Sequence, residues 1–235
     1  MSNPILIIGE SGSGKSTSLR NLDHKETYML QAIKKPLPFR GWRKKYILDS
    51  KEVKGNLCIN DKPQVVAQMI KYVSDKRPDI KNLIVDDVTY IMSNQFMRRA
   101  REVGFGKYNE IGADFFKVIE NIGSYREDLN IVFLGHSERK EDGKSGIKTA
   151  GKMLDNQFSI AGLFTIVFEA HVDDNGYKFI TNNNGWNCAK SPMGMFEDHY
   201  IDNDLKIVFD KIKEYEEFED DEPEGLEPEK IEDSK

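Results

Sequence analysis

Short apolar runs alternate with longer amphipathic stretches along most of the chain. Most of the runs are bounded by polar or glycine residues, as is typical of buried strands. The predicted strands are Pro4–Ile8, Thr27–Ala32, Leu83–Val85, Asn130–Gly135, Phe164–Val172 and Tyr177–Thr181. The predicted helices are Lys15–Leu22, Gln64–Val73, Tyr90–Arg101, Asn109–Tyr125 and Asp204–Tyr215. This alternation predicts an α/β fold with a mainly parallel sheet between helices.

Two connecting segments have sequences that predict their structure. The sequence Asp173-Asp174-Asn175-Gly176 between the last two strands predicts a tight turn, and therefore a C-terminal β-hairpin. The stretch Glu138–Gly151 is polar and contains glycines, so we expect a mobile loop there.

Composition narrows the class of protein. The 235 residues suit one sizeable α/β domain, with 38% hydrophobic and 31% charged residues. No apolar run approaches the roughly 18 residues that a membrane span needs, and the N-terminus does not resemble a secretion signal. Cys58 and Cys188 are too few for a disulfide framework. We therefore expect a cytoplasmic protein without a membrane partner.

Charge is distributed unevenly. Residues 214–235 hold 12 acidic and 2 basic residues, which leaves 32 Lys and Arg against 28 Asp and Glu in residues 1–213. We therefore expect one folded domain at 1–213 and an acidic, disordered tail at 214–235. The tail could act only as a solubiliser, or it could compete with nucleic acid for a basic groove.

The pattern Gly-x-x-x-x-Gly-Lys-Ser follows the first strand and precedes a predicted helix. Glycines allow backbone N–H groups to converge on phosphate oxygens, and the helix start adds a positive dipole end. Lys15 is expected to reach the β- and γ-phosphates, and Ser16 to bind magnesium. The sequence therefore predicts a P-loop for ATP and Mg²⁺. The predicted binding residues are Gly9, Glu10, Ser11, Gly12, Ser13, Gly14, Lys15, Ser16 and Thr17.

Three acidic residues are candidates for binding the magnesium ion or for catalysis beside the phosphates. Asp86, at the end of a buried strand, is predicted to hold the magnesium through water. Asp87 follows at the position where many such ATPases have a glutamate that polarises the attacking water. Glu10, within the loop, is a competing catalytic carboxylate.

His136 ends another buried strand and is predicted to sense the γ-phosphate, with Ser137 as the second candidate. A structural histidine is the alternative. The four histidines and two cysteines lack metal-ligand spacing, so we expect no zinc site.

The number of strands favours the RecA-like and AAA-type ATPases, which insert the sensor strand between the P-loop strand and the acidic strand. Small-molecule kinases place those two strands side by side. The chain also lacks the arginine-rich lid of nucleotide kinases, since Arg139 is the single arginine after the sensor strand.

Several segments resemble phage-encoded RecA-like ATP-binding proteins, including ATP-dependent single-strand annealing proteins. The matching segments are Pro4–Thr17, Lys35–Phe39, Asn82–Asp87, Phe96–Ala100, Gly135–Glu138, Gly151–Asp155 and Ala189–Phe196. The resemblance implies a RecA-like three-layer α/β/α core, a bacterial host and work on DNA.

The same resemblance implies a homo-oligomer, either a ring or a filament, in which a basic residue reaches the nucleotide of the next subunit. Lys190 is the predicted finger and Lys152 the alternative, although each could be a solvated surface lysine. Single-stranded DNA is the expected partner, and a single-strand binding protein is a further one.

In RecA-like proteins the loop after the sensor strand contacts DNA. The basic residues in this loop are Arg139, Lys140, Lys144, Lys148 and Lys152. They suit phosphate contacts, but the loop contains no aromatic residue for base stacking. The segment Phe39–Tyr46 does interleave basic and aromatic residues, and is a rival DNA surface or a wall for adenine. Phe39 is expected to pack on the sheet, and Trp42 is left open.

Three functions remain in order of preference. The first is an ATP-dependent protein that binds and anneals single-stranded DNA in recombination or replication. The second is a nucleotide-dependent switch or assembly factor with little turnover, which the Asp at position 87 favours. The third is a small-molecule phosphotransferase, which the missing lid disfavours.

Overall fold

The computed structural model describes residues 2–140, 143–150 and 159–217. Within these residues the strands are β1 Asn3–Gly9, β2 Thr27–Gln31, β3 Leu57–Ile59, β4 Asn82–Asp86, β5 Asn130–Arg139, β6 Ser145–Ile147, β7 Ile166–Asp173, β8 Gly176–Ile180 and β9 Tyr200–Asp202. The α-helices are α1 Trp42–Lys45, α2 Pro63–Lys76, α3 Thr89–Arg98, α4 Gly106–Ile119 and α5 Leu205–Glu216. Short 3-10 helices span Ser16–Asn21, Ile122–Ser124 and Ile160–Leu163.

The main sheet has the strand order β3-β2-β4-β5-β1-β7-β8-β9, with β6 paired to β5 alone. All neighbours from β3 to β7 are parallel, and β8 and β9 join in antiparallel fashion. The sensor strand β5 lies between the P-loop strand β1 and the acidic strand β4. The predicted α/β fold and its RecA-like strand order are therefore confirmed.

Helices cover both faces of the sheet. On one face, α2, α3 and α4 pack over side chains such as Leu83 and Phe133. On the other face, the 3-10 helix Ser16–Asn21 and α5 pack over Val132 and Phe168. Successive residues of a strand point to opposite faces, so strands covered on both sides become continuous apolar runs. This is why the central strands were recognisable from sequence.

Several elements differ from the prediction, including β3 and α1, which it does not contain. The expected loop 138–151 is partly strand, because β5 continues to Arg139 and pairs with β6 in an antiparallel hairpin. The helix after the P-loop is a six-residue 3-10 helix. The hairpin β7–β8 is present, but β9 extends it into a three-stranded antiparallel unit.

The remaining described features bear on the other expectations. None of the described helices has the length and apolar character to span a membrane. Cys58 and Cys188 are both free thiols. The described part of the chain contains no cluster of three metal-ligating side chains. Helix α5 continues to Glu216, three residues into the segment predicted as tail, and residues 218–235 lie outside the described part.

Candidate functional site: a P-loop beside two buried aspartates

The carboxyl ends of β1, β4 and β5 meet at one edge of the sheet. In the strand register Gly9 pairs with His136, and Asp86 pairs with Leu134. Parallel strands bring the residues that follow them to a common edge, where ligands of open α/β sheets bind. The three segments predicted to act on the nucleotide are therefore neighbours.

The P-loop depends on glycine at three positions. Gly12 and Gly14 have φ angles of +84° and +91°, in the left-handed region that favours glycine. A Cβ on Gly9 would lie 2.5 Å from Ser13 Oγ and 2.9 Å from the carbonyl oxygen of Ala170. The loop therefore forms a cradle that side chains at these positions would fill.

Lys15 closes the loop from inside. Its Nζ donates hydrogen bonds to the carbonyl oxygens of Gly9 and Glu10, both at 2.8 Å. The residue is 7% exposed, and this burial lowers the pKa of its ammonium group although Asp87 and Asp86 act in the opposite direction. An ammonium that gives up two loop carbonyls for phosphate oxygens would regain stronger, charge-assisted hydrogen bonds.

Ser16 and Asp86 meet as the predicted magnesium pair. Ser16 Oγ donates to Asp86 Oδ1 at 2.9 Å. Asp86 is 1% exposed, and burial raises the pKa of its carboxyl group. Its other oxygen, Oδ2, is buried and accepts no hydrogen bond from any described residue.

The Asp86 oxygen without a hydrogen-bond donor provides a test of whether magnesium fits. A buried carboxylate oxygen that accepts no hydrogen bond is costly unless a cation or water satisfies it. A hydroxyl beside a carboxylate is also the hard oxygen donor set that Mg²⁺ takes in P-loop proteins. Ser16 and Asp86 would therefore hold the ion, whose charge would offset that of the phosphates.

Asp87 occupies a strained and crowded position. Its φ of +63° makes it the one non-glycine residue in the described chain with a left-handed backbone. Its Oδ2 is paired with Lys35 Nζ, and its Oδ1 lies 3.1 Å from His136 Nε2. Burial opposes ionisation of this carboxyl, but the hydrogen bonds from His136 and Lys35 outweigh it and lower the pKa of Asp87.

His136 is fixed on both sides. Its backbone N–H donates to Thr89 Oγ1 at 2.9 Å, and its ring lies edge-on to Tyr90, 5.6 Å between centroids. Ser137, the other predicted sensor, instead pairs with Ile147 of β6. Of the two candidates, the structure places His136 beside the predicted catalytic carboxylate.

Lys35 is a residue of the candidate site that sequence reasoning missed. It lies four residues after β2, and its Nζ is 3.9 Å from Asp86 Oδ2 as well as paired with Asp87. The two carboxylates raise the pKa of this ammonium group against the effect of its burial. The strand order contained the signal, because β2 lies beside β4 and its carboxyl end must open near Asp86.

The other predicted residues take different places. Glu10 and Ser11 are exposed on the loop, and Thr17 is half-buried in the 3-10 helix. Lys190 is half-buried, and its backbone N–H and carbonyl both pair with Val167 at 2.8 Å. The alternative finger Lys152 lies outside the described residues.

The hairpin β5–β6 carries four of the five predicted DNA-binding residues. Arg139, Lys140, Lys144 and Lys148 are all exposed. The Lys148 backbone N–H donates to the carbonyl oxygen of His136 at 2.8 Å, which joins this basic hairpin to the predicted sensor.

The rival surface at Phe39–Tyr46 is partly apolar packing. Phe39 and Trp42 are half-buried against the core on the α5 face. The Arg43 guanidinium lies 5.5 Å from the Trp42 ring centroid. The expectation that Phe39 packs on the sheet is confirmed, and Trp42 packs there too.

Comparison with known proteins agrees with this geometry. A family model described as an AAA domain matches residues 1–193, which is 193 of the 235 residues. A search of curated proteins finds no match to the chain. The P-loop, the aspartate at the end of β4 and the intervening sensor strand all fall within the matched segment. The chain therefore belongs to the AAA domain family of nucleotide-binding P-loop ATPases.

Proposed function

We propose that this protein is a magnesium-dependent ATPase that binds and anneals single-stranded DNA in phage recombination or replication. The observation that carries the proposal is the basic hairpin β5–β6, which is continuous with the sensor strand. Arg139 and Lys144 are exposed on it, while His136 on the same strand lies 3.1 Å from Asp87. DNA held by the hairpin could therefore move a residue at the site of hydrolysis.

Its chemistry would divide among the residues of the site. Lys15 and the loop N–H groups would bind the β- and γ-phosphates, and Ser16 and Asp86 would hold the ion. Asp87 would orient the attacking water or accept a proton from it. His136 would fix the orientation of the Asp87 carboxylate. Because Asp87 is ionised and paired, it must exchange at least one partner before it can act as a base.

We further propose a homo-oligomer, a ring or filament, in which Lys190 of one subunit reaches the γ-phosphate held by the next. A cation at that position would stabilise charge that is largest in the transition state. A single-strand binding protein is proposed as an additional partner on the DNA. The resemblance to phage recombination proteins and the basic hairpin support these assignments.

The direct test is ATP hydrolysis by the purified protein with and without single-stranded oligonucleotides. We expect DNA to stimulate turnover, and Lys15→Ala to reduce it at least about 100-fold because a phosphate-binding cation is lost. Lys76→Ala, which removes an exposed lysine in the last turn of α2, is the matched control and should hydrolyse ATP normally. Full turnover by Lys15→Ala would overturn the assignment of the site.

A second function is favoured by the pairing of Asp87 with Lys35 and His136. A short carboxylate already held by two partners suits a nucleotide-dependent switch, which binds ATP and hydrolyses it slowly while contacting a protein partner. Tight ATP binding with slow turnover that DNA does not change would support this alternative over the DNA-dependent ATPase.

A further inference from the structure

A cavity of about 490 Å³ opens beside the P-loop, on the side of the basic hairpin. Glu10 and Ser13 of the P-loop form one wall, and Glu169 and His171 of β7 form another. Trp186 closes the outer side. The nucleotide site described above assigns ligands to the interior of the P-loop. It assigns no ligand to this neighbouring cavity.

Trp186 is exposed but held in place. The residue is 68% exposed. Its backbone carbonyl accepts a hydrogen bond from the Ser145 N–H at 2.9 Å, which ties it to β6. A Cβ on Gly143 would lie 3.5 Å from the indole ring, so the ring packs directly over the turn of the basic hairpin. An exposed indole fixed in this way is a ready stacking surface.

The cavity is lined by charges of both signs. Arg139 of the hairpin lines it together with the carboxylates of Glu10, Glu138 and Glu169 and the amides of Asn184 and Asn187. Lys140 and Lys144 lie on the same hairpin and line a neighbouring pocket that shares Ser145 and Asn187 with this one. Carboxylates repel a phosphate, but carboxylates and amides can hydrogen-bond the edge of a base.

We propose that this cavity binds one unpaired nucleobase of single-stranded DNA, stacked on Trp186, while Arg139 and the neighbouring hairpin lysines Lys140 and Lys144 hold the flanking phosphates. The inference rests on the proposed function. The predicted DNA-binding loop contains no aromatic residue for base stacking, and Trp186, in the segment before Lys190, would supply it. Because Glu10 belongs to both the cavity and the P-loop, an inserted base would also contact the nucleotide site.

Fluorescence can test the stacking directly, because the chain has only two tryptophans. The Trp42→Phe variant keeps Trp186 as its sole indole, and oligodeoxythymidine should quench its emission as the base stacks. The Trp186→Phe variant keeps only Trp42 and should show no quenching. Quenching of Trp42 alone would overturn the inference.

Affinity measurements provide the second readout. Trp186→Ala should weaken binding of oligodeoxythymidine by about 5- to 100-fold, and Trp186→Phe should restore much of the loss. The salt dependence should stay unchanged in Trp186→Ala, whereas Lys144→Ala should lower its slope by about one. Phe105→Ala, which removes another highly exposed aromatic, located at the start of α4, is the control.

The outcomes separate this inference from the proposed function. Wild-type affinity in Trp186→Ala, with weakened binding in Lys144→Ala, would overturn the base-binding cavity but leave DNA binding intact. If the wild-type protein binds no oligonucleotide at low salt, with or without ATP, the proposed function itself fails and the inference with it. Preference for a duplex over the single strand would also overturn the cavity, because a paired base cannot enter it.

Discussion

The pair Asp86 and Asp87 illustrates how single residues balance burial against charge. Both carboxylates are almost completely buried and adjacent in sequence, an arrangement that disfavours ionisation of both. The Lys35 ammonium contacts Asp87 and lies 3.9 Å from Asp86 Oδ2. We interpret Lys35 as the cation that compensates these carboxylates when no magnesium is present.

Replacing Lys35 with methionine tests this interpretation. Lys35→Met should lower the free energy of unfolding by about 1–3 kcal/mol, since it leaves a buried carboxylate without its partner. Magnesium with ADP should restore more stability to the variant than to the wild type, because the ion supplies the missing charge. Urea unfolding with and without the ligands measures both effects.

The matched control is Lys34→Met, which changes an exposed neighbouring lysine.

The pH dependence of stability gives a further check on the role of Lys35. The pKa of Asp87 is below its ordinary value of 3.8 in the folded protein, so its contribution to stability is present above that pH and is lost as the pH falls. Without Lys35 this pKa should rise, and acid should unfold the variant at a higher pH. Equal behaviour of the two methionine variants would refute the role of Lys35.

Residue identities were predictable where a local motif fixes them. Lys15, Ser16 and Asp86 each follow from a strand and the residues directly after it. Lys35 could not be found in this way, because its contact with Asp87 depends on β2 lying beside β4. The positive φ of Asp87 was equally hidden, since it arises from the turn between β4 and α3 and not from the residue type.

At the scale of elements, the 3-10 helix Ser16–Asn21 depends on α5. Six residues are too few for a helix that is stable alone. Asp204, the N-cap of α5, accepts a hydrogen bond from the Lys206 N–H at 3.0 Å and another from Asn21 Nδ2. Arg20 adds a hydrogen bond of 2.6 Å to the carbonyl oxygen of Asn203. The C-terminal helix therefore holds the segment that begins with Ser16.

Replacing Asp204 tests this coupling. Asp204→Ala should cost about 1–2 kcal/mol through the lost cap, and should weaken nucleotide affinity several-fold because Ser16 is less well fixed. Thermal unfolding and titration with a fluorescent ATP analogue measure the two effects. Asp210→Ala removes an exposed ion pair with Lys206 in the same helix and should cost less than about 0.5 kcal/mol. Unchanged nucleotide affinity in Asp204→Ala would show that α5 does not support the loop.

Helices and strands were predictable when the pattern of apolar residues within the element showed which of its side chains are buried. The apolar strands β1, β4 and β5 and the amphipathic helices α2 and α4 have this property. The strands β3, β6 and β9 have three residues each and obtain their conformation from a neighbouring strand. The sequence predicts a loop where the basic hairpin forms for that reason, because Ser137–Arg139 and Ser145–Ile147 pair with each other without an apolar pattern.

At the scale of the whole molecule, charge is divided between the body and the C-terminus. Residues 218–235 hold 9 acidic and 2 basic residues, whereas residues 1–217 hold 32 basic and 31 acidic ones. We expect the acidic segment to compete with DNA for the exposed cations of the hairpin β5–β6. Because α5 continues to Glu216, a truncation should begin at residue 218 to leave this helix intact.

Deleting residues 218–235 should tighten binding of single-stranded DNA several-fold at roughly 20–50 mM salt, because an intramolecular competitor for the basic hairpin is removed. The gain should vanish at about 0.5 M salt, where such charges are screened. A full-length variant with its tail Asp and Glu residues changed to Asn and Gln is the matched control. If charge causes the competition, this variant should bind as tightly as the truncated protein. Equal affinity of the wild-type, truncated and neutralised proteins at every salt concentration would refute the competition and leave the tail as a solubiliser.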